Sequence, residues 1–256
     1  MRTWSKAFAT ACIFLTRIPM PTMAEISDRD QGRALLCFPI VGLLVGLLLW
    51  AVALLSQPIF GDLVTAAILA ACWAAVTGGL HLDGLADSAD GWLGSYGDPE
   101  RTLEIMHDSR SGAGAIVAVS CLLILKFAAL TLVLQHHLWE ALVVAPIIGR
   151  CSGPLLFLRG NLFYAPYVQP SGIAKHFIDF CPPYARLVSY LAILCCGVML
   201  GPPLIALAIL AICAVVLLLV RRLSMQRLGG VTGDVAGAAT EILETALLLS
   251  GGALLV

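Results

Sequence analysis

Apolar runs at 35–57, 62–80, 112–134, 138–158, 186–200, 203–220 and 236–256 are each long enough, or nearly so, to cross a bilayer core of about 30 Å. Inside such a core every backbone N–H and C=O has to be satisfied within the chain, so runs of this kind fold as helices. With 60% hydrophobic and 12% charged residues, the 256-residue chain carries about half the charge of an ordinary soluble domain. The expectation is an all-α, polytopic membrane bundle of about seven transmembrane helices, one domain over 1–256. Gly201-Pro202-Pro203 joins the fifth and sixth runs as a tight hairpin or a re-entrant element. Gly42 and Gly46, four apart, allow two helices to approach closely.

Ahead of the first run, residues 4–18 place Trp4, Phe8, Ala11 and Leu15 at helical spacing, which suits an N-terminal amphipathic helix in the interface or a plain membrane-entry segment. Arg17 and Pro19 interrupt the stretch and no small-residue cleavage site follows, so it does not read as a cleaved signal peptide. The nine cysteines form no C-x-x-C pair and most lie inside apolar runs, as small core residues do.

The basic residues give the chain a direction. Arg2, Lys6, Arg17, Arg29 and Arg33 precede the first run, and Arg101 and Arg110 follow the second. Arg159, Lys175 and Arg186 follow the fourth; Arg221, Arg222 and Arg227 follow the sixth. Thirteen of the fifteen thus fall on one side, which the positive-inside rule assigns to the cytoplasm. Lys126 and Arg150 fall within runs, where each needs an internal partner or must snorkel; for Arg150 a substrate phosphate and a buried carboxylate are both candidates. A net charge of −1 with no basic stripe argues against a nucleic-acid partner.

Seven carboxylates crowd between Asp83 and Asp108. Asp83, Asp87 and Asp90 share one helical face, where like charges repel, and Glu100, Glu104 and Asp108 share another. Two such faces, joined by the turn-rich stretch from Gly91 to Gly97, can clasp one or two cations. Oxygen donors without His or Cys at ligand spacing suit Mg²⁺ or Mn²⁺, and Mg²⁺ commonly pairs a few carboxylates with substrate phosphates. A phosphate or pyrophosphate ester is the expected substrate, with Asp87 or Asp90 as the catalytic base. Asp98 and Glu100 read as solvated loop acids.

Further polar residues lie on the same expected side. Ser109-Arg110-Ser111-Gly112 leads into an apolar run and reads either as a phosphate clamp or as a helix cap with a positive-inside arginine. In Gly229-Gly230-Val231-Thr232-Gly233-Asp234, Asp234 is a metal ligand, a nucleotide contact or a structural N-cap. Glu241 and Glu244 lie one and two turns into the last run, and at least one has to face a polar interior. His81 either orients Asp83, donates to a phosphate, or is structural.

Phe14-Leu15-Thr16-Arg17-Ile18-Pro19, the His81–Gly91 segment, Leu103-Glu104-Ile105-Met106-His107-Asp108-Ser109-Arg110 and the Gly229–Ala238 segment together resemble the cobalamin-5′-phosphate synthase family. One departure is His107, where the family pattern usually has lysine. The resemblance implies a multi-pass inner-membrane enzyme, with its active-site loops cytoplasmic, that completes the nucleotide loop of vitamin B12. Such an enzyme joins adenosylcobinamide-GDP to α-ribazole or α-ribazole 5′-phosphate, releasing GMP with Mg²⁺ as cofactor. It further implies metal ligation by Asp83, Asp87, Asp90, Glu104 and Asp108. Substrate binding is implied for Arg17, Ser109, Arg110, Thr232, Gly233 and Asp234, and His81 joins them as a candidate on its place beside Asp83. Two other readings stand beside it: a membrane phosphotransferase of the CDP-alcohol phosphatidyltransferase type, whose A-R and longer aspartate spacing are missing here, and an ion transporter, against which the acids cluster beside one loop.

Overall fold

A computed structural model describes residues 2–21, 26–169, 172–200 and 202–254; the Gly201 junction and the last two residues of the seventh run lie outside the described residues. The described residues form ten helices and no strand, in agreement with the all-α expectation. Helix α1 (Arg2–Leu15) is followed by α2 (Asp28–Thr77), α3 (Leu80–Gly94), α4 (Pro99–Met106) and α5 (Ala113–Gln135). Then come α6 (Trp139–Phe157), α7 (Ile173–Asp179), α8 (Ala185–Met199), α9 (Pro203–Leu228) and α10 (Gly233–Leu254). By length and composition α2, α5, α6 and α9 are fit to cross a membrane. Helix α8 is shorter, and α10 carries three acids.

The first two apolar runs are the two limbs of α2, which breaks at Gly61 (φ 71°, ψ 178°) just after Pro58. Only glycine enters that backbone region without a Cβ penalty. The second limb returns beside the first: Val45, Leu49 and Ala53 share a buried cluster with Ala66, Leu69 and Trp73. Helix α1 stops at Leu15, earlier than its apolar pattern: Pro19 disfavours helix at Ile18, and the Arg17 N–H donates to the Val76 carbonyl of α2 instead of within α1. Its Ala7, Ala11, Cys12 and Leu15 pack with Ala34, Leu35, Phe38 and Val41 of α2. Conversely α9 runs past its apolar stretch to a left-handed C-cap at Gly229, which puts Arg221 and Arg227 on its last turns.

Helix α6 is buried along most of its length, whereas α5 and α9 present most of theirs outward. Gly42 and Gly46 let α2 meet α6: a Cβ at Gly46 would stand 2.6 Å from the Val143 Cα. All connections that carry basic residues gather at one end of the bundle, while those at 58–62, 136–138 and 200–202 contain no Lys or Arg.

In the bundle centre, Lys126 of α5 donates to Glu241 (2.6 Å) and Glu244 (2.9 Å) of α10, and its ammonium lies 4.3 Å from the Trp73 ring centroid. Arg150 of α6 pairs with Glu244. Both cations therefore take buried carboxylates as partners, and both glutamates face the polar interior. All four side chains are essentially inaccessible, so removing one member strands a charge, at a cost of about 3–5 kcal/mol. Lys126→Met is expected to lower the thermal unfolding midpoint in detergent far more than Lys175→Met, whose pair with Asp179 is exposed and worth about 0–1 kcal/mol. Adding Glu241→Gln to Lys126→Met should recover part of the loss; equal midpoints for the two lysine variants would refute the buried-network assignment.

Candidate active site

Helix α3 begins after the consecutive left-handed glycines Gly78 and Gly79, which turn the chain sharply at the end of α2. It then lies against the start of α10 at very short range. A Cβ on Gly84 would stand 2.6 Å from the Asp234 carbonyl oxygen, and one on Gly237 3.4 Å from the His81 Cα. Asp83 and Asp87 flank Gly84 in sequence, so this contact places Asp234 beside both. Partial burial, with the charges of Asp83, Asp234 and Asp90 added to it, pushes the Asp87 carboxyl up to about 7. Asp83 is exposed and Asp87 half-buried. Neither side chain has a hydrogen-bond or ion-pair partner among the described residues.

Asp234 occupies the first turn of α10. The N-cap role falls instead to Thr232, whose hydroxyl accepts the Val235 N–H at 3.2 Å. The segment before it is held by the 158–169 loop: Val231 N–H donates to the Pro166 carbonyl (2.7 Å) and Val168 N–H to the Val231 carbonyl (3.1 Å). That pairing delivers two residues that sequence reasoning missed. Gln169 reaches the Asp234 carboxylate at 3.5 Å and His107 Nε2 at 3.3 Å, and it accepts from the Tyr167 hydroxyl at 2.9 Å. No periodicity or spacing marks Tyr167 and Gln169, because their place depends on a pairing between distant loops.

The remaining expected site residues are placed otherwise. Asp90 accepts the Gly112 N–H (2.5 Å) and the Ala115 N–H (2.8 Å), so it caps the start of α5 from a neighbouring helix. Glu104 is exposed and pairs with Arg101 at 2.9 Å. Asp108 takes Arg110 as a two-pronged partner at 2.7 and 3.0 Å, and these hydrogen bonds hold its carboxyl at about 2. Ser109 and Arg110 are exposed. Asp98, expected as a solvated loop acid, caps α4 through the Glu100 and Arg101 N–H groups. Arg17 is exposed, packs its side chain over Gly78 and donates its N–H to the Val76 carbonyl at 2.7 Å. His81 is buried, with no partner for Nδ1.

The two acidic faces thus do not close on one another. Among the described residues no three or more His, Cys, Asp or Glu side chains stand close enough to hold a metal ion by themselves. What the structure does bring together is Asp83, Asp87 and Asp234, with His107 linked to them through Gln169. Mutual repulsion at Asp87 and unpartnered oxygens fit a hard divalent cation that takes its other ligands from phosphate and water. Close approach is the condition for this grouping. Gly84→Ala is expected to lower stability by about 1–3 kcal/mol, as overpacking does, measurable by thermal unfolding in detergent; an unchanged midpoint would mean that α3 and α10 are not in such contact.

The family model described as cobalamin-5-phosphate synthase matches residues 7–252. An adenosylcobinamide-GDP ribazoletransferase of Stutzerimonas stutzeri (strain A1501) is 48% identical over 237 residues, covering 92% of this chain and 93% of the relative. A protein of the same name from Pseudomonas fluorescens (strain SBW25) is 43% identical over 248 residues, covering 94% and 97%. No solved structure matches. Asp83, Asp87 and Asp234, grouped by the fold, lie in two widely separated parts of a match that spans nearly the whole length, and the chain belongs to the cobalamin-5-phosphate synthase family.

Proposed function

We propose that this protein is a membrane-embedded adenosylcobinamide-GDP ribazoletransferase, joining the GDP-activated corrinoid to α-ribazole or its 5′-phosphate with release of GMP. The observation that carries the reading is the convergence of Asp83 and Asp87 with Asp234 beside a cavity in an otherwise apolar bundle. Transfer requires a ribazole hydroxyl to attack the corrinoid-side phosphorus of a pyrophosphate while GMP departs. Catalysis of such a step rests on positioning and on stabilising charge.

In this reading Asp83 and Asp234 hold Mg²⁺, with Mn²⁺ as a substitute, and Asp87 accepts the proton of the attacking hydroxyl. The cation, when bound, neutralises charge on the phosphate oxygens. Thr232 and Gly233 present the start of α10 to the phosphates, where helix N–H groups favour anions. Gln169 lines the same cavity and links His107 to the Asp234 carboxylate, which the pair would orient. Asp90 keeps α3 fixed to the start of α5. Ser109 and Arg110, exposed beside it, meet the donor as it enters. The clustering of basic residues at this end of the bundle supports an inner-membrane orientation with the site facing the cytoplasm.

The test is GMP release from adenosylcobinamide-GDP and α-ribazole by the purified protein, with and without Mg²⁺. Chelation should abolish release, and Mg²⁺ or Mn²⁺ should restore it; ion movement without corrinoid product would favour a transporter instead. Asp83→Asn and Asp87→Asn should each lower turnover by about 10²–10⁴-fold while the protein still inserts into membranes. Asparagine also serves as a cap, so Asp90→Asn should keep most of the activity, whereas Asp90→Ala should cost about 1 kcal/mol of stability. Turnover in Asp90→Asn as low as in Asp87→Asn would move Asp90 into the chemistry.

A further inference from the structure

Alongside the carboxylates lies a cavity of about 240 Å³. Three rings from three elements close it: Phe14 of α1, Phe38 of α2 and Phe177 of α7, with centroids 5.0 to 6.0 Å apart. Asp83, exposed, and Asp234, half-buried, mark the open end. At the other end His81, Arg150 and Thr240 are 5%, 2% and 4% exposed. Asp234 and Thr240 are six residues apart on α10, so the cavity extends about 9 Å along that helix. Two polar groups in its depth are unsatisfied: His81 Nδ1 and, on Arg150, Nε and Nη2, which remain without a hydrogen-bond partner while the guanidinium pairs with Glu244. Thr240 is already engaged with Ser152 and the Ala236 carbonyl.

Leaving buried polar groups unmet is costly, and an apolar slot that ends in the Arg150 guanidinium, with a His81 ring nitrogen that donates in one tautomer, suits a ligand with apolar faces and an acceptor at its edge. We propose that this cavity receives the planar aromatic base of the nucleoside acceptor, packed among Phe14, Phe38 and Phe177, with its free ring nitrogen accepting a hydrogen bond from Arg150 or His81. The proposal rests on the ribazole-transfer reading and adds where the acceptor binds. With the base in the slot, the attached ribose emerges at Asp83, Asp87 and Asp234, where its hydroxyl has to react. A benzimidazole riboside offers one ring nitrogen with a free lone pair and is otherwise apolar. A guanine edge also carries N–H groups that need acceptors, and beside His81 and Arg150 the Thr240 hydroxyl is already engaged. The corrin ring is too large for the volume.

The test compares wild type with Ala174→Leu, which fills the slot from the half-buried wall of α7, and with Phe177→Leu, which removes one ring. Each variant should raise KM for α-ribazole about tenfold or more, while KM for adenosylcobinamide-GDP and kcat at saturating α-ribazole stay within about twofold. A rise in KM for the corrinoid donor instead, or no rise in either, would overturn the base site while leaving the transferase reading intact. Absence of GMP release by wild type would sink the transferase reading. Direct binding of α-ribazole without corrinoid then decides the cavity: at least tenfold tighter binding to wild type than to a folded variant supports it, and equal binding overturns it.

Discussion

The buried cluster of Lys126, Arg150, Glu241 and Glu244 fixes α10 against α5 and α6, and the geometry of the site depends on where α10 sits. In an apolar interior these charges have no alternative partners, so sliding α10 by one turn would part both cations from their carboxylates. Asp234 lies two turns before Glu241 on the same helix, so the network that fixes the depth of α10 also fixes the height of Asp234 at the end of the bundle. Trp73 contributes from the second limb of α2 by facing the Lys126 ammonium.

Around that fixed helix the site is assembled from short-range constraints of different kinds. Gly84 lacks the side chain that would hold α3 off α10, and Gly237 lies in ordinary contact range of His81 on the facing helix. Asp90 ties the middle of α3 to the start of α5, and Arg227 ties its end to α9 through the Trp92 carbonyl at 3.1 Å. The Tyr167–Val231 bridge brings the 158–169 loop into register with the start of α10. Each tie joins a segment at the basic-rich end of the bundle to a helix, so loops far apart in sequence become one surface.

Much of this architecture is legible in the chain because the membrane imposes it. Apolar runs and basic-residue counts respond to a solvent that tolerates only satisfied backbone and few charges, and the helices follow the runs closely. The i, i+4 spacing of Asp83 and Asp87 likewise survives into α3. Spacing did not reveal that Glu104 and Asp108 spend their charge on Arg101 and Arg110, since those arginines also served as topology markers. Nor did it show Asp234 joining the α3 acids, which requires Gly84 to meet α10, or Gln169 reaching Asp234, which requires two loops to pair. Local pattern reports a residue's face; it does not report what the tertiary fold lays against that face.

Charge balance shows why the wet and dry ends of the site differ. The deep cluster contains two cations and two carboxylates and is neutral, so it lends little attraction to anything at the open end. At that end Asp83, Asp87 and Asp234 meet no Lys or Arg ion pair among the described residues, and His107 is linked to Asp234 through Gln169. Left bare, three carboxylates repel a pyrophosphate and at the same time raise the cost of ionising Asp87. In the proposed reading a divalent cation held by Asp83 and Asp234 would offset that repulsion, and Asp83 is exposed to solvent. An apolar base carries no such charge and gains by leaving water, so it belongs in the slot between the phenylalanines. The two substrates are thus separated by polarity before they are brought together, with the reacting hydroxyl at the boundary between the two ends.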